Sequence, residues 1–367
     1  MNESRGHVGS TSYTTEYFGY DADGRTTDLW EQTPNSGGSY HVTDQYFPNG
    51  AVNTLIGYQA SGSQIVGLPA ITYGIDGEGR LTTASASAGQ NPVTAASYNV
   101  ASQLTSLTLG SGDSDAYTYD SNTGRLTQNQ ASINGSNVTG ALTWNPNGTL
   151  QKLVITDPFN SGDAQTCNYT YDAIARLNKA DCGTTWGQSF SYDAYGDLTK
   201  AVLPGDSGLN WQPGYTNANQ YNFGPGHYDN DGNLVNDTFH TYTWDAFGGV
   251  ASIDSATLTH DALGRVAEFG SGSSQVLYAA NGQKLALMSG QTLQKAFVSL
   301  PGGGQAVYNS SGLAYYRHAD WLGSSRLAST PSGSSATPRL VQVNSATPQT
   351  NQSSVSVTFN NAQTLET

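Results

Sequence analysis

Charge is scarce in this 367-residue chain: Asp, Glu, Lys and Arg together make up 11%. Basic side chains are the rarer kind, 14 against 28 acidic ones, which leaves a net charge of −14. A surface of that sign repels phosphate backbones and anionic membranes, so nucleic acid is excluded as a partner. There is no run of 18 or more apolar residues, and no membrane-spanning helix is expected. The opening MNESRGHVGS lacks the apolar stretch of a signal peptide. Motifs for catalysis are also missing. The sequence contains no GxSxG, no HExxH and no Cys/His metal spacing. With only six Glu, no carboxylate pair for glycoside hydrolysis can be picked out. No enzymatic activity and no cofactor are expected.

What the chain does have is Gly (43 residues), Tyr (22, against 10 Phe) and many Ser, Thr and Asn. That mixture suits short strands joined by tight turns. One short unit keeps returning: an aromatic residue, Asp or Asn, two variable residues, Gly, one variable residue, then an aliphatic one. Clear copies start at Tyr20 (Asp21, Gly24), Tyr192 (Asp193, Gly196), Tyr228 (Asp229, Gly232) and Trp244 (Asp245, Gly248). His260 opens another with Asp261 and Gly264, Trp144 opens WNPNGTL, and Tyr119 opens a copy with one extra residue (Asp120, Gly124). Weaker copies start at Tyr46, Ile75, Tyr98, Tyr171, Tyr278 and Tyr308. Of these 13 segments, 11 open with an aromatic residue, 11 carry Asp or Asn next, and 11 place Gly in the turn slot. Chance does not produce three coincident slots at that rate.

Each slot has a physical task. Asp accepts hydrogen bonds from turn amides, and Gly supplies the positive φ that closes the turn as a bulge. Pro48 and Pro146 fall directly after the first turn residue, where φ near −65° is wanted. The flanks alternate with period two, as in YTYD ending at Asp120 and YTWD ending at Asp245. Each unit therefore reads as a β-hairpin. Successive units lie mostly 16 to 30 residues apart, room for two strands and two connections. The longest interval, Tyr192 to Tyr228, is rich in Pro and Gly and is expected to be a long loop.

The pattern resembles the YD repeat of Rhs proteins, toxin-complex shell proteins and animal teneurins, over roughly Tyr20 to Leu327. A second segment, YYRHADWLGSSRL, is similar to that family's core-associated segment through His318, Asp320, Leu322, Gly323, Ser324, Arg326 and Leu327. The resemblance implies an all-β fold of tandem antiparallel hairpins in a continuous spiralling sheet, as an open arc or partial hollow shell. It also implies a non-enzymatic scaffold in a secreted or cell-surface bacterial protein, enclosing or displaying a polymorphic toxin. The expected partners are flanking parts of a longer chain and its C-terminal effector. The family's D-P-x-G-L motif, tied to self-cleavage, is absent, so neither cleavage nor toxicity is carried over. Expected boundaries are a lead-in over 1–13, the repeat array over 14–312, the core-associated segment over 313–329, and a Ser/Thr/Asn/Pro-rich linker or the start of a cut-off β domain over 330–367. The chain is expected to be a piece of a longer protein.

Several residues carry two readings. Cys167 and Cys182 flank the turn near Ile174 almost symmetrically, as a cross-strand disulfide or as two half-buried thiols. The turn Asp residues cap amides or bind calcium. His318 and Asp320, two apart, would share one face of a strand, for packing or for chemistry. Trp186, Trp211 and Trp321 lie outside the turn unit and either pack inward or stack on sugars, the basis of an alternative reading as a carbohydrate- or protein-binding adhesion module. Arg25, Arg80, Arg125 and Arg265 follow turn Gly residues and are expected to pair with acidic neighbours at the rim.

Overall fold

The computed structural model describes residues 3–8, 11–184, 186–206, 210–331 and 339–340. Among them the only helical turns are two 3₁₀ segments, Ser161–Asp163 and Pro301–Gly303, and no helix is long and apolar enough to cross a membrane. Most of the 330–367 segment lies outside the described residues.

The chain forms two compact units. The first combines Met1–Gly112, Pro225–Ala319 and the strand that begins at Ser325. Its N-terminal part is a ladder of nine strands: β1 (Glu3–Val8), β2 (Thr11–Tyr20), β3 (Thr26–Gln32), β4 (Tyr40–Tyr46), β5 (Val52–Tyr58), β6 (Ile71–Ile75), β7 (Leu81–Ala86), β8 (Val93–Tyr98) and β9 (Leu104–Leu109). The second unit, Asp113–Gly224 with Asp320–Ser324, carries β10 (Ser114–Tyr119), β11 (Leu126–Ile133), β12 (Ser136–Trp144), β13 (Leu150–Thr156), β14 (Gln165–Tyr171), β15 (Leu177–Asp181), β16 (Gly187–Tyr192) and β17 (Leu198–Val202). Within each ladder every strand pairs antiparallel with its neighbour in the chain. The hairpin array that the repeats predict is the architecture found.

The first unit continues with a small sheet of β18 (Tyr242–Trp244), β19 (Val250–Ile253) and β20 (Ala256–Thr257). A larger sheet follows, of β21 (Thr259–His260), β22 (Val266–Phe269), β23 (Ser274–Tyr278), β24 (Lys284–Ser289), β25 (Thr292–Ser299), β26 (Gln305–Asn309), β27 (Gly312–Ala319), β28 (Ser325–Ser329) and β29 (Arg339–Leu340). Its inner face packs on the nine-strand ladder. Leu29, Tyr40, Val42 and Ile71 share one buried cluster with Met288 and Val298. Period-two alternation selects that face: in β4, Tyr40, Val42 and Asp44 are buried while the residues between them are not. Each fully buried aliphatic side chain contributes about 1.5–3 kcal/mol, and β23 is buried along its whole length. The second unit has a smaller core of Leu142, Leu150, Leu153 and Ile155, with Trp144 and Trp321 against it.

Two segments hold more strand than the sequence predicts. The 1–13 lead-in supplies β1 and the start of β2, paired together. The Tyr192–Tyr228 interval is not a plain loop. It holds β17 and two further antiparallel bridges, Lys200 to Trp211 and Tyr215 to Tyr221.

Candidate functional site

The turn unit repeats with constant geometry. The Asp21 N–H donates to the Arg25 carbonyl at 3.0 Å, and the Gly24 N–H donates to the Asp21 carbonyl at 3.1 Å. Asp21 Oδ1 accepts the amides of Asp23 and Arg25. Gly24 sits at φ +79°, and the ladder bulges at Gly19/Tyr20. Asp193, Asp229, Asp245 and Asp261 accept the equivalent amides two and four residues on. Gly196, Gly232, Gly248 and Gly264 all have positive φ. In the longer Tyr119 copy, Asp120 caps Asn122 and Thr123, and Gly124 again has positive φ. These bonds stabilise the ionised carboxylates. The Arg176 amide holds Asp172 below the usual carboxylate range, and the Asn233 side chain and amide do the same for Asp229.

Sequence reading missed the contact that joins one unit to the next. In seven of the 13 units the opening aromatic reaches back and donates to the carbonyl of the residue that closes the preceding unit, whereas the buried Tyr308 hydroxyl makes no such bond. Tyr46 donates to Thr26 at 2.6 Å, Tyr98 to Leu81 at 2.7 Å and Tyr171 to Leu150 at 2.9 Å. Tyr192 donates to Leu177 at 2.8 Å and Tyr278 to Val266 at 2.9 Å. Tryptophan does the same through Nε1, Trp144 to Leu126 and Trp244 to Leu234. The arginine after the turn glycine, or after Ala175 in its place, caps the same ring: Arg25, Arg80, Arg176 and Arg265 lie 4.1–5.2 Å from the centroids of Tyr46, Tyr98, Tyr192 and Tyr278. The clasp favours a ring that carries a donor, and no copy of the repeat opens with Phe, although the chain has 10. Tyr192→Phe keeps the ring and the Arg176 contact but removes the donor. It is expected to destabilise the second unit by about 1 kcal/mol, read as a lower urea midpoint, whereas Tyr192→Trp should lose less.

Two turns of this geometry were invisible to the repeat pattern. At Tyr215 the turn is built from Thr216, with Asn219 at φ +60° in the glycine slot, and Tyr215 donates to the Leu198 carbonyl at 3.2 Å. At Tyr58 the turn uses Gln59 and Gly62. The core-associated segment is a third such turn. The Asp320 N–H donates to Ser324, the Gly323 N–H donates to Asp320, and Asp320 Oδ1 accepts the Leu322 and Ser324 amides. His318 and Asp320 therefore do not share a strand face, as had been expected. His318 is buried in β27, with Nε2 2.9 Å from Ser329 Oγ, whereas Asp320 caps the turn beyond the strand end. Leu322 and Arg326 are exposed.

Cys167 and Cys182 are disulfide-bonded across β14 and the end of β15. Cys167 faces Leu153, which faces Leu142, so the bond extends the apolar row of the second unit. Trp186 donates to Gln165 at 3.0 Å, and Trp321 meets Trp144 edge-on at 5.7 Å. Trp211 is 36% exposed and contacts Tyr221, whose ring also meets Tyr215 and Phe223.

The arginines do not all pair at the rim. Arg125 reaches the carbonyls of Asn145 and Pro146 rather than an acid, because the extra residue in its turn moves it away from Asp120. Arg265 points into the core of the first unit. It binds Asp261 through Nε at 2.6 Å and Glu16 through a terminal nitrogen. Glu16 lies directly opposite Glu31 in the β2–β3 register, and both are fully buried. Neither carboxyl oxygen of Glu31 has a hydrogen-bonding partner, nor does Asp44 Oδ1. Glu268, also buried, accepts two bonds from Asn35. Burial, then the Glu16 carboxylate, pushes Glu31 well above the usual range. Burial pushes Asp44 up to about 6. Among the described residues no group of three or more His, Cys, Asp or Glu is arranged to hold a metal ion.

No family model and no curated protein matches the sequence. Solved structures do match. The Photorhabdus luminescens Tc holotoxin pore superposes with a TM-score of 0.66 at 13% identity, over 88% of this chain and 19% of that one. A crystal structure of TcdB2-TccC3 gives 0.64 at 13% identity, over 90% and 21%, and TcdB2-TccC3-TEV gives 0.66 at 13%, over 92% and 20%. The chain thus spans about a fifth of the length of these neighbours. At this identity the likeness shows the fold, and this chain carries the antiparallel β-repeat fold of a part of the Tc toxin proteins.

Proposed function

We propose that the chain is a wall segment of a secreted or cell-surface Rhs-type shell, a non-enzymatic scaffold that encloses or displays an effector. The observation that carries this reading is the clasp between successive hairpins. It is made of one ring donor and one backbone carbonyl, and it recurs in both ladders. The fold shared with Tc toxin proteins supports it, as does a disulfide suited to an oxidising compartment. Flanking parts of a longer chain and its C-terminal effector are the partners in this reading. Small-angle scattering with light scattering, on the chain alone and on the chain carrying its upstream genomic extension, tests it. A hollow particle, or an open assembly completed by the extension, is expected. A solid monomer indifferent to the extension would overturn the reading.

The exposed rings of Trp211, Tyr221 and Phe223 favour a second reading, a surface that binds glycans by stacking. Quenching of tryptophan fluorescence by oligosaccharides, abolished in Trp211→Ala, is its expected sign. An unchanged titration in that variant rules the site out.

A further inference from the structure

The first unit buries Glu16, Glu31, Asp44, Asp261 and Glu268 where its two large sheets meet, and Arg265 is the guanidinium that answers them. Arg265 engages Glu16 and Asp261, so Glu31 has no counter-ion of its own. An ionised carboxylate in such a place costs several kcal/mol, and the neutral acid costs far less. We propose that closure of the β21–β28 sheet onto β2–β4 is locked by protons on Glu31 and Asp44, so that the seam tightens on acidification and loosens as pH rises.

The groups facing Glu31 are Glu16 on β2, Asp261 and Arg265 from the β21–β22 turn, Tyr40 on β4, and Tyr278 on β23. Of these, Glu16 and Asp261 oppose a charge on Glu31, while Arg265 and, more weakly, the Tyr278 N–H favour it. Asp44 faces Tyr46 on its own strand and Tyr73 on β6, and the Ala280 amide is its one donor from the opposing sheet. The folded form thus holds protons that the unfolded form has released. Both acids are raised in the fold, so the stability they contribute is complete below the unfolded carboxylate range, near pH 4. For Asp44 it is lost as pH rises through about 6, and for Glu31 at higher pH still. The exposed turn acids Asp172 and Asp229 shift the other way and are not part of the seam.

Hydrogen–deuterium exchange of the whole chain between pH 5 and pH 8, corrected for intrinsic chemistry, reads the lock directly. Protection of β23–β26 is expected to fall by up to about tenfold per pH unit for each proton released. The β10–β17 ladder serves as the internal control and should not follow. In Asp44→Asn with Glu31→Gln, protection at pH 8 should rise to near its pH 5 level. Should the double variant fail to fold, Asp44→Asn alone must still remove the step around pH 6. Flat protection in the unmodified chain, an equal fall in the variant, or the same fall in β10–β17 would each overturn the proposal.

Discussion

Arg265→Met is expected to destabilise the first unit by about 3–5 kcal/mol, the usual cost of stranding a buried charge by removing its partner. Whole domains are stable by only about 5–15 kcal/mol, so this one change removes a large share. Three effects combine. Glu16 loses its ion pair, Asp261 loses the bond that turns its second oxygen inward, and the Tyr278 ring loses the guanidinium 4.1 Å from its centroid. Urea unfolding followed by circular dichroism checks the magnitude. The Glu16→Gln background should recover part of the loss, because a neutral amide at that position no longer needs a counter-ion. A loss under 1 kcal/mol would mean that water reaches the seam and solvates Glu16 in place of the arginine. Arg265→Lys should fall in between, since a single ammonium cannot reproduce the fork that joins Asp261 to Glu16.

Reduction of the Cys167–Cys182 bond has the second largest expected effect, about 3 kcal/mol for a loop of this length, with the two cysteines 15 residues apart. The loss falls on the unit that can least absorb it. The buried aliphatic cluster there is Leu142, Leu150, Leu153 and Ile155, far smaller than the core between the sheets of the first unit. Limited proteolysis with and without reductant should show new cleavage within Asp113–Gly224, and a Cys167→Ser/Cys182→Ser double variant should behave like the reduced chain. Cleavage that appears first in β1–β9 instead would place the weak point elsewhere.

The hairpins were legible because their signal is local. Asp and Gly at fixed offsets describe a turn, and a turn fixes the register of the strands beside it. The units at Tyr58 and Tyr215 escaped for the same reason. Gln59 and Thr216 replace the acid, and Asn219 takes the left-handed conformation that Gly usually supplies, so the geometry persists where the letters do not. The clasp left a trace that only its chemistry makes readable: the ring slot takes Tyr and Trp but not Phe. The acidic seam was the least accessible feature, because it joins residues about 250 positions apart. A clue existed even so. Leu29 and Glu31, like Val42 and Asp44, have the same parity on their strands, and period-two alternation sends an acid inward along with its apolar neighbour. The misreading of His318 and Asp320 has the opposite origin. The two were treated as strand neighbours, while the Asp320 turn repeats the YD geometry and ends the strand between them.

Because the clasp is written in a ring donor and a main-chain carbonyl, it is indifferent to which hairpin precedes which. One hairpin, two strands long, is the smallest piece that can be duplicated or lost in frame while the clasps on either side can still re-form. Removal of a single strand would reverse the polarity of everything after it and turn buried faces outward. Changes in repeat number should therefore come in whole hairpins, so that a gene carrying this pattern lengthens or shortens its sheet by counting.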